Sequence, residues 1–304
     1  MKISWNGIKD VAFKAFNNYT DGASFTAVSK YIYDYYRASA SRSALSGSQQ
    51  GLIDKHLSPD WEKAVGEVQG NTNQQLGQVL QIRDTNNSLA YSAPGARRAV
   101  GQGEVAECVL HNKANGGPQM GRLQIVVKPE ATGAWLNKQL YAIMAGSACV
   151  SQWKIMNPSL GSSGPDSAVV YLACPIDDAQ VNNLIGNILA TDVRKFLDDG
   201  CRAPLGLTVF AAGIFGCDLP TENIQRNTLG MSHTGSAGDI IARVISRGTQ
   251  KAAIALCSND ETSKKNAAAI ELEAQSVGNE KAVDNFIRAA VKSAVEEIGW
   301  TLEN

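Results

Sequence analysis

Hydrophobic positions along the chain recur at two periods, and the change falls near residue 76. In "GIKDVAFKAFNNY", Ile8, Val11, Phe13 and Phe16 stand at helical spacing. "SFTAVSKYIYDYYRAS" repeats the pattern with Phe25, Val28, Ile32 and Tyr35, and Ser24 is placed to cap the helix. Residues 1–75 therefore predict a mainly helical N-terminal segment. The small polar run "ASRSALSGSQQGL", 40–52, predicts a loop or linker within it. Tyr31, Tyr33, Tyr35 and Tyr36 fit helix core and boundary better than a stacking platform.

From about residue 78 the spacing tightens. "QVLQIRD", "SLAYSA" and "EVAECVLHN" read as short strands divided by Asn, Gly and Pro. The loop "HNKANGGPQMG" leads into "GRLQIVVKPE", 121–130, where Leu123, Ile125 and Val127 alternate with Arg122, Gln124 and Lys128. A strand over 122–128, stopped by Pro129, follows. "ATGAWLNKQLYAIMAG", 131–146, predicts a helix ending at a glycine. "SQWKIMN" predicts a strand, "GSSGPDSAVVYLACP" a Gly-rich turn and a strand, and "DDAQVNNLIGNILA" a helix with Asp177 and Asp178 at its positive end. Residues 200–237 read as loop-rich, with helices over about 238–248 and most of 261–299.

The order β-α-β-β-α predicts an α+β fold: a mixed or antiparallel sheet with helices packed on one face, and helical N-terminal and C-terminal segments. The second sheet face is then available to a ligand. Residues 76–304 would form this α+β domain, either apart from 1–75 or continuous with it.

Composition narrows the function. Of 304 residues 44% are hydrophobic, enough for a substantial core. With 28 basic and 29 acidic residues there is no basic excess of the kind a nucleic-acid binder carries. No apolar run reaches the ~18 residues of a membrane-spanning helix, so neither nucleic acid nor membrane is an expected partner. The start, "MKISWNGIKDVAFKAF", lacks the continuous apolar stretch and cleavage site of a secretory signal. Six cysteines without a CxxC pair suggest reduced thiols in a cytosol, and three scattered histidines make no metal motif. A cytoplasmic protein without metal or cofactor is the expectation. Cys149, Cys174 and Cys257 lie in apolar surroundings and read as core.

Two constellations could carry chemistry. Period two sets Arg122 and Lys128 opposite the apolar side of their strand, and sets Lys154 opposite Trp153 and Ile155. If both strands bury their apolar residues against the same helices, the three cations share a sheet face, with Asp166 at the mouth of the next strand. Arg offers a fork and Lys a point charge to a phosphate-bearing ligand. An ordinary solvated face is the alternative. The second constellation is "GMSHTGSAGDIIARVISRG", where Gly230, Ser232, His233 and Thr234 precede a helix whose amides would attract an anion. His233 would add an acid or base near neutral pH. A flexible loop with a normal cap explains the same residues.

The ordered blocks "GRLQIVVKPE", "WKIMNPSLGSSGPDSAVVYL", "APLGLTVFAAGIFG", "TLGMSH" and "DIIARVI" resemble the Hop-A type III effector family. Its domain also occurs as a lyase in class V lanthipeptide and thioamitide biosynthesis. The resemblance covers roughly 120–250. It implies a phosphoserine/phosphothreonine lyase that β-eliminates phosphate from a phosphorylated peptide or protein to leave dehydroalanine or dehydrobutyrine. In the biosynthetic setting a partner kinase first phosphorylates a precursor peptide. In the effector setting the protein enters a host cell through a type III system, and acts on or merely binds a host protein. Such elimination needs a base, an acid and cations. Lys128 or Lys154 would be the base, Arg122 would hold phosphate, Asp166 would orient a lysine or arginine, and His233 would be the acid. Gly230, Ser232 and Thr234 would help seat the substrate. Where relatives place an arginine, this chain has His233.

Overall fold

The computed structural model describes residues 1–39, 44–70, 76–83, 89–91, 105–113, 116–164, 166–232, 236–257 and 282–303. The strands are β1 (Lys2–Ser4), β2 (Leu76–Arg83), β3 (Leu89–Tyr91), β4 (Val105–Lys113), β5 (Gly121–Ile125), β6 (Val150–Met156), β7 (Ala168–Leu172), β8 (Thr208–Ala211), β9 (Ile214–Asp218) and β10 (Thr301–Glu303). The helices are α1 (Trp5–Thr20), α2 (Phe25–Ser39), α3 (Gly47–Leu52), α4 (Ser58–Gly70), α5 (Ala134–Gly146), α6 (Pro158–Ser163), α7 (Ala179–Leu189), α8 (Val193–Phe196), α9 (Glu222–Asn227), α10 (Ala237–Cys257) and α11 (Ala282–Glu296).

The chain forms two compact units, each assembled from separate stretches. One comprises Met1–Ala40, Pro204–Leu207 and Pro220–Asn304; the other comprises Ser41–Ala203 and Thr208–Leu219. In the first unit the N-terminal helices pack with the C-terminal ones. Ile8, Val11, Ala12, Ala15 and Phe16 of α1 are buried, as are Val28, Ile32 and Tyr36 of α2. The residue on the inner face of α2 is thus Tyr36 rather than Tyr35. Ser24 caps α2 through its hydroxyl, which accepts from the Ala27 amide at 3.3 Å. Gly248 of α10 allows a close helix crossing: a Cβ there would lie 2.6 Å from the Cα of Val291 on α11. β1 and β10 pair in parallel, so Ile3 and Leu302 close the same core.

The second unit is an antiparallel sheet in the order β3-β2-β4-β6-β7-β5-β9-β8. One face carries Val109, Leu123, Ile125, Trp153, Ile155, Val170 and Leu172, buried in one cluster with Leu136, Leu140 and Met144 of α5 and Val181, Leu184 and Ile188 of α7. Each such side chain contributes about 1.5–3 kcal/mol on leaving water. The face also holds His111, stacked on Trp153 at 4.6 Å between ring centres and bonded through Nε2 to Asn137 Oδ1 at 2.9 Å. Burial pushes this imidazole down to about 4.

Several sequence expectations shift. The polar run 40–52 ends in α3, where Ser46 and Gln49 cap each other's backbone amides. The loop-rich middle contains the hairpin β8–β9, turned at Gly213 with φ 67°, and the short helix α9. The strand expected over 122–128 leaves its ladder after Ile125. Val127 makes a single bridge to Leu197, and the Lys128 amide donates to the Phe196 carbonyl at 2.7 Å. The Asp198 amide also donates to the Val126 carbonyl at 3.0 Å, so the chain here passes from the sheet to the 196–198 segment before Pro129 is reached. α10 runs on to Cys257, past the predicted end at 248. Of the predicted 261–299 helices, 282–296 are found, and 258–281 lie outside the described residues.

Candidate functional site

Register decides which residues share the second sheet face. Directly opposed residues on neighbouring strands point the same way. Arg122 opposes Cys217 on β9 and Tyr171 on β7; Tyr171 opposes Gln152 on β6; Gln152 opposes Asn112 on β4. One row across five strands therefore reads Cys217, Arg122, Tyr171, Gln152, Asn112. The adjoining row on the same face reads Phe215, Gln124, Val169, Lys154, Leu110. Arg122 and Lys154 thus occupy one face, two strands apart.

The centre of that face is buried, contrary to the solvated surface the strand pattern suggested. Arg122 is 3% exposed and Gln124 1%. The guanidinium Nη2 donates to Asp166 Oδ2 at 2.9 Å, and Gln124 Nε2 donates weakly to the same oxygen at 3.5 Å. A buried guanidinium needs such a partner, because an isolated charge away from water is expensive. Gln124 Oε1 is buried and finds no hydrogen-bond partner among the described residues.

Asp166 owes its position to the segment before β7. The Ser167 amide donates to the Ile125 carbonyl at 2.9 Å, and the Ser167 hydroxyl donates to Gly161 O at 2.6 Å while accepting from the Val127 amide at 3.1 Å. These bonds lock the segment onto β5, beside Arg122. The preceding residues form helix α6, capped by Asn157, where the sequence suggested a glycine-rich turn.

Lys154 is half-buried. Burial works against its ammonium, and Arg122 adds to that. Tyr171, Cys108 and Asp166 outweigh both, and the lysine pKa lies above its ordinary value. Lys154 is accordingly an ammonium, suited to holding an anion or giving up a proton. Cys217, beside Arg122, is pushed by burial up to about 12 and stays a thiol. Cys149 and Cys174 sit in the apolar core, and burial pushes Cys174 up to about 11. The Cys257 side chain lies outside the described residues.

Lys128 is half-buried beyond the end of the β5 ladder, so the register does not carry it into either row. Gly230 and Ser232 belong to the first unit; Gly230 has φ 64° and Ser232 is exposed. His233 and Thr234 lie outside the described residues. Sequence reasoning placed Gln124 on the cationic face without giving it a role. It missed Tyr171 and Asn112, whose place depends on pairings between distant strands.

A broad, antiparallel α+β sheet unit joined to a helical unit built from both chain ends is shared by bacterial effector proteins of known structure. The match to an effector protein from Pseudomonas syringae pv. tomato strain DC3000 covers 96% of each chain at 14% identity, with a TM-score of 0.54. An effector protein from Pseudomonas syringae pv. syringae strain 61 matches over 98% of this chain and 94% of its own, at 15% identity and a TM-score of 0.55. This chain shares their fold. The type III effector and phosphothreonine lyase OspF from Shigella flexneri aligns over 66% of this chain at 10% identity, with a TM-score of only 0.31. No family model matches the sequence, and no curated protein does. Among the described residues no helix is long and apolar enough to cross a membrane.

Proposed function

We propose that this is an effector-type protein whose sheet face receives a phosphorylated serine or threonine side chain of a peptide or protein and eliminates its phosphate. The observation that carries this reading is the placement of Arg122 and Lys154 on one face by register, with Asp166 fixing the guanidinium. In the reaction a base removes the Cα proton, the Cα–Cβ double bond forms, the Cβ–O bond breaks, and phosphate leaves with a proton from an acid. Lys154, on the same face as Arg122, would hold the phosphate or give a proton to the departing oxygen. The base is Lys128 or Lys154, both in the sheet unit. The effector fold favours a host protein as target over a precursor peptide presented by a partner kinase.

The experiment is incubation of the full chain with phosphothreonine and phosphoserine peptides, read by mass spectrometry. Elimination gives a product lighter than the dephosphorylated peptide by one water; hydrolysis gives the alcohol itself. A second reading, capture of the phosphorylated side chain without turnover, is favoured by the guanidinium that Asp166 fixes in place, which can hold an anion but not take up a proton. Saturable binding with no mass change would select it, and no binding would defeat both.

A further inference from the structure

Gln119, Gln152 and Asn112 form a chain of carboxamides on the same sheet unit. Gln119 Nε2 donates to Gln152 Oε1 at 3.1 Å, and Gln152 Nε2 donates to Asn112 Oδ1. All three are half-buried, whereas Arg122 and Gln124 are closed off from solvent. Gln152 and Asn112 continue the row that runs through Tyr171 from Arg122. The polar face thus passes from a buried charged end to a half-open neutral one.

The two hydrogen bonds run in one direction and leave unlike ends. At Asn112 the Nδ2 donor pair is not used within the chain of amides. At Gln119 the Oε1 acceptor is not used within it. A donor at one end and an acceptor at the other complement the C=O and N–H of an extended main chain. They offer nothing to a second phosphate, which wants cations.

Distances fit as well. Neighbouring strands are spaced about 4.8 Å apart, so three steps put the Asn112 strand ~14 Å from the Arg122 strand. An extended peptide at ~3.3 Å per residue spans that in about four residues.

We infer that the Gln119–Gln152–Asn112 row binds the main chain of the substrate about four residues from the phosphorylated one, making this site specific for peptides over isolated phosphoamino acids and tolerant of flanking sequence. This rests on the phosphate reading of Arg122 and Lys154. Gln152 is a positioning residue and touches no reacting atom.

The test compares the full chain with Gln152→Leu and Asn112→Leu by calorimetric binding. The probes are a capped single phosphothreonine, the same residue with four flanking residues on each side, that peptide with its flanking amides N-methylated, and its unphosphorylated form. Wild type is expected to bind the long phosphopeptide about tenfold more tightly than the capped residue, the worth of one or two net hydrogen bonds. Each leucine variant and the N-methylated probe should lose that advantage, and affinity for the capped residue should stay unchanged. Equal affinity for long and short probes, or equal weakening of both in the variants, overturns the inference. If phosphorylation makes no difference but the long peptide still binds through Gln152, the phosphate reading fails and the main-chain site stands. If no probe binds, both fail. Unchanged melting temperatures of the two variants separate these outcomes from misfolding.

Discussion

The guanidinium of Arg122 meets the carboxylate of Asp166 at 2.9 Å in the interior, with both side chains almost wholly removed from water. Breaking such a pair strands a charge. Asp166→Ala is expected to destabilise the protein by about 3–5 kcal/mol in urea unfolding. The paired change Arg122→Met with Asp166→Leu should recover most of that loss. A single Asp166→Ala change with no effect on the unfolding midpoint would contradict the buried pair.

Lys154 supplies the second charge of the face. Inorganic phosphate at a hundred times its dissociation constant should stabilise the wild type by about 2.7 kcal/mol, read as a rise in melting temperature. Lys154→Gln is expected to fold normally and to lose that rise. A rise of equal size in the variant would remove Lys154 from the phosphate site.

Gln124 keeps a buried acceptor oxygen that finds no partner among the described residues. An unpartnered polar atom of this kind costs about 1–3 kcal/mol, which a ligand donor can relieve. Gln124→Met should therefore leave stability unchanged or raise it, while weakening phosphopeptide binding several-fold. Lowered stability together with unaltered binding would show the glutamine to be structural.

His111 makes the stability depend on pH. Its folded-state value is depressed from 6.5 to about 4, so below pH 6.5 the unfolded chain takes up a proton that the folded one refuses. Stability is fully present above about pH 6.5, is lost as pH falls toward about 4, and levels off below. The depression corresponds to a loss on the order of 3 kcal/mol. Urea unfolding across that range should show the slope in wild type and flatten it in His111→Gln.

The architecture was legible where side chains alternate locally. In "SQWKIMN", Trp153 and Ile155 against Lys154 fixed both the strand and its inward face, because burial of one face sets the period. "LTVFAAGIFGCDL" was unreadable for the opposite reason: its apolar residues run almost continuously and hide the hairpin β8–β9. The site was half legible. Periodicity put Arg122 and Lys154 on like faces of their own strands, but only pairing could align those strands. β5 pairs with β7 and β9, and neither β4 nor β6, its neighbours in sequence, lies beside it. The contact of Arg122 with Asp166 and the row through Tyr171 arise from that crossing, which no local pattern reports. Lys128 misled because the chain leaves the ladder at Ile125 for the 196–198 segment, while the alternation in sequence runs on.

The discontinuous helical unit sets an order on the birth of the chain. α1 and α2 are made first, yet the residues that cover their apolar sides, Ile240, Ile241, Val244 and Ile245 among them, come some two hundred positions later. Most of the sheet unit is synthesised in between and can condense on its own contacts. The emerging N-terminal helices must wait, greasy side bare, for α10 and α11. Long-range closure of this sort slows folding and lengthens exposure to aggregation. In this unit the helix pairings that bury α1 and α2 are therefore among the longest-range in the chain.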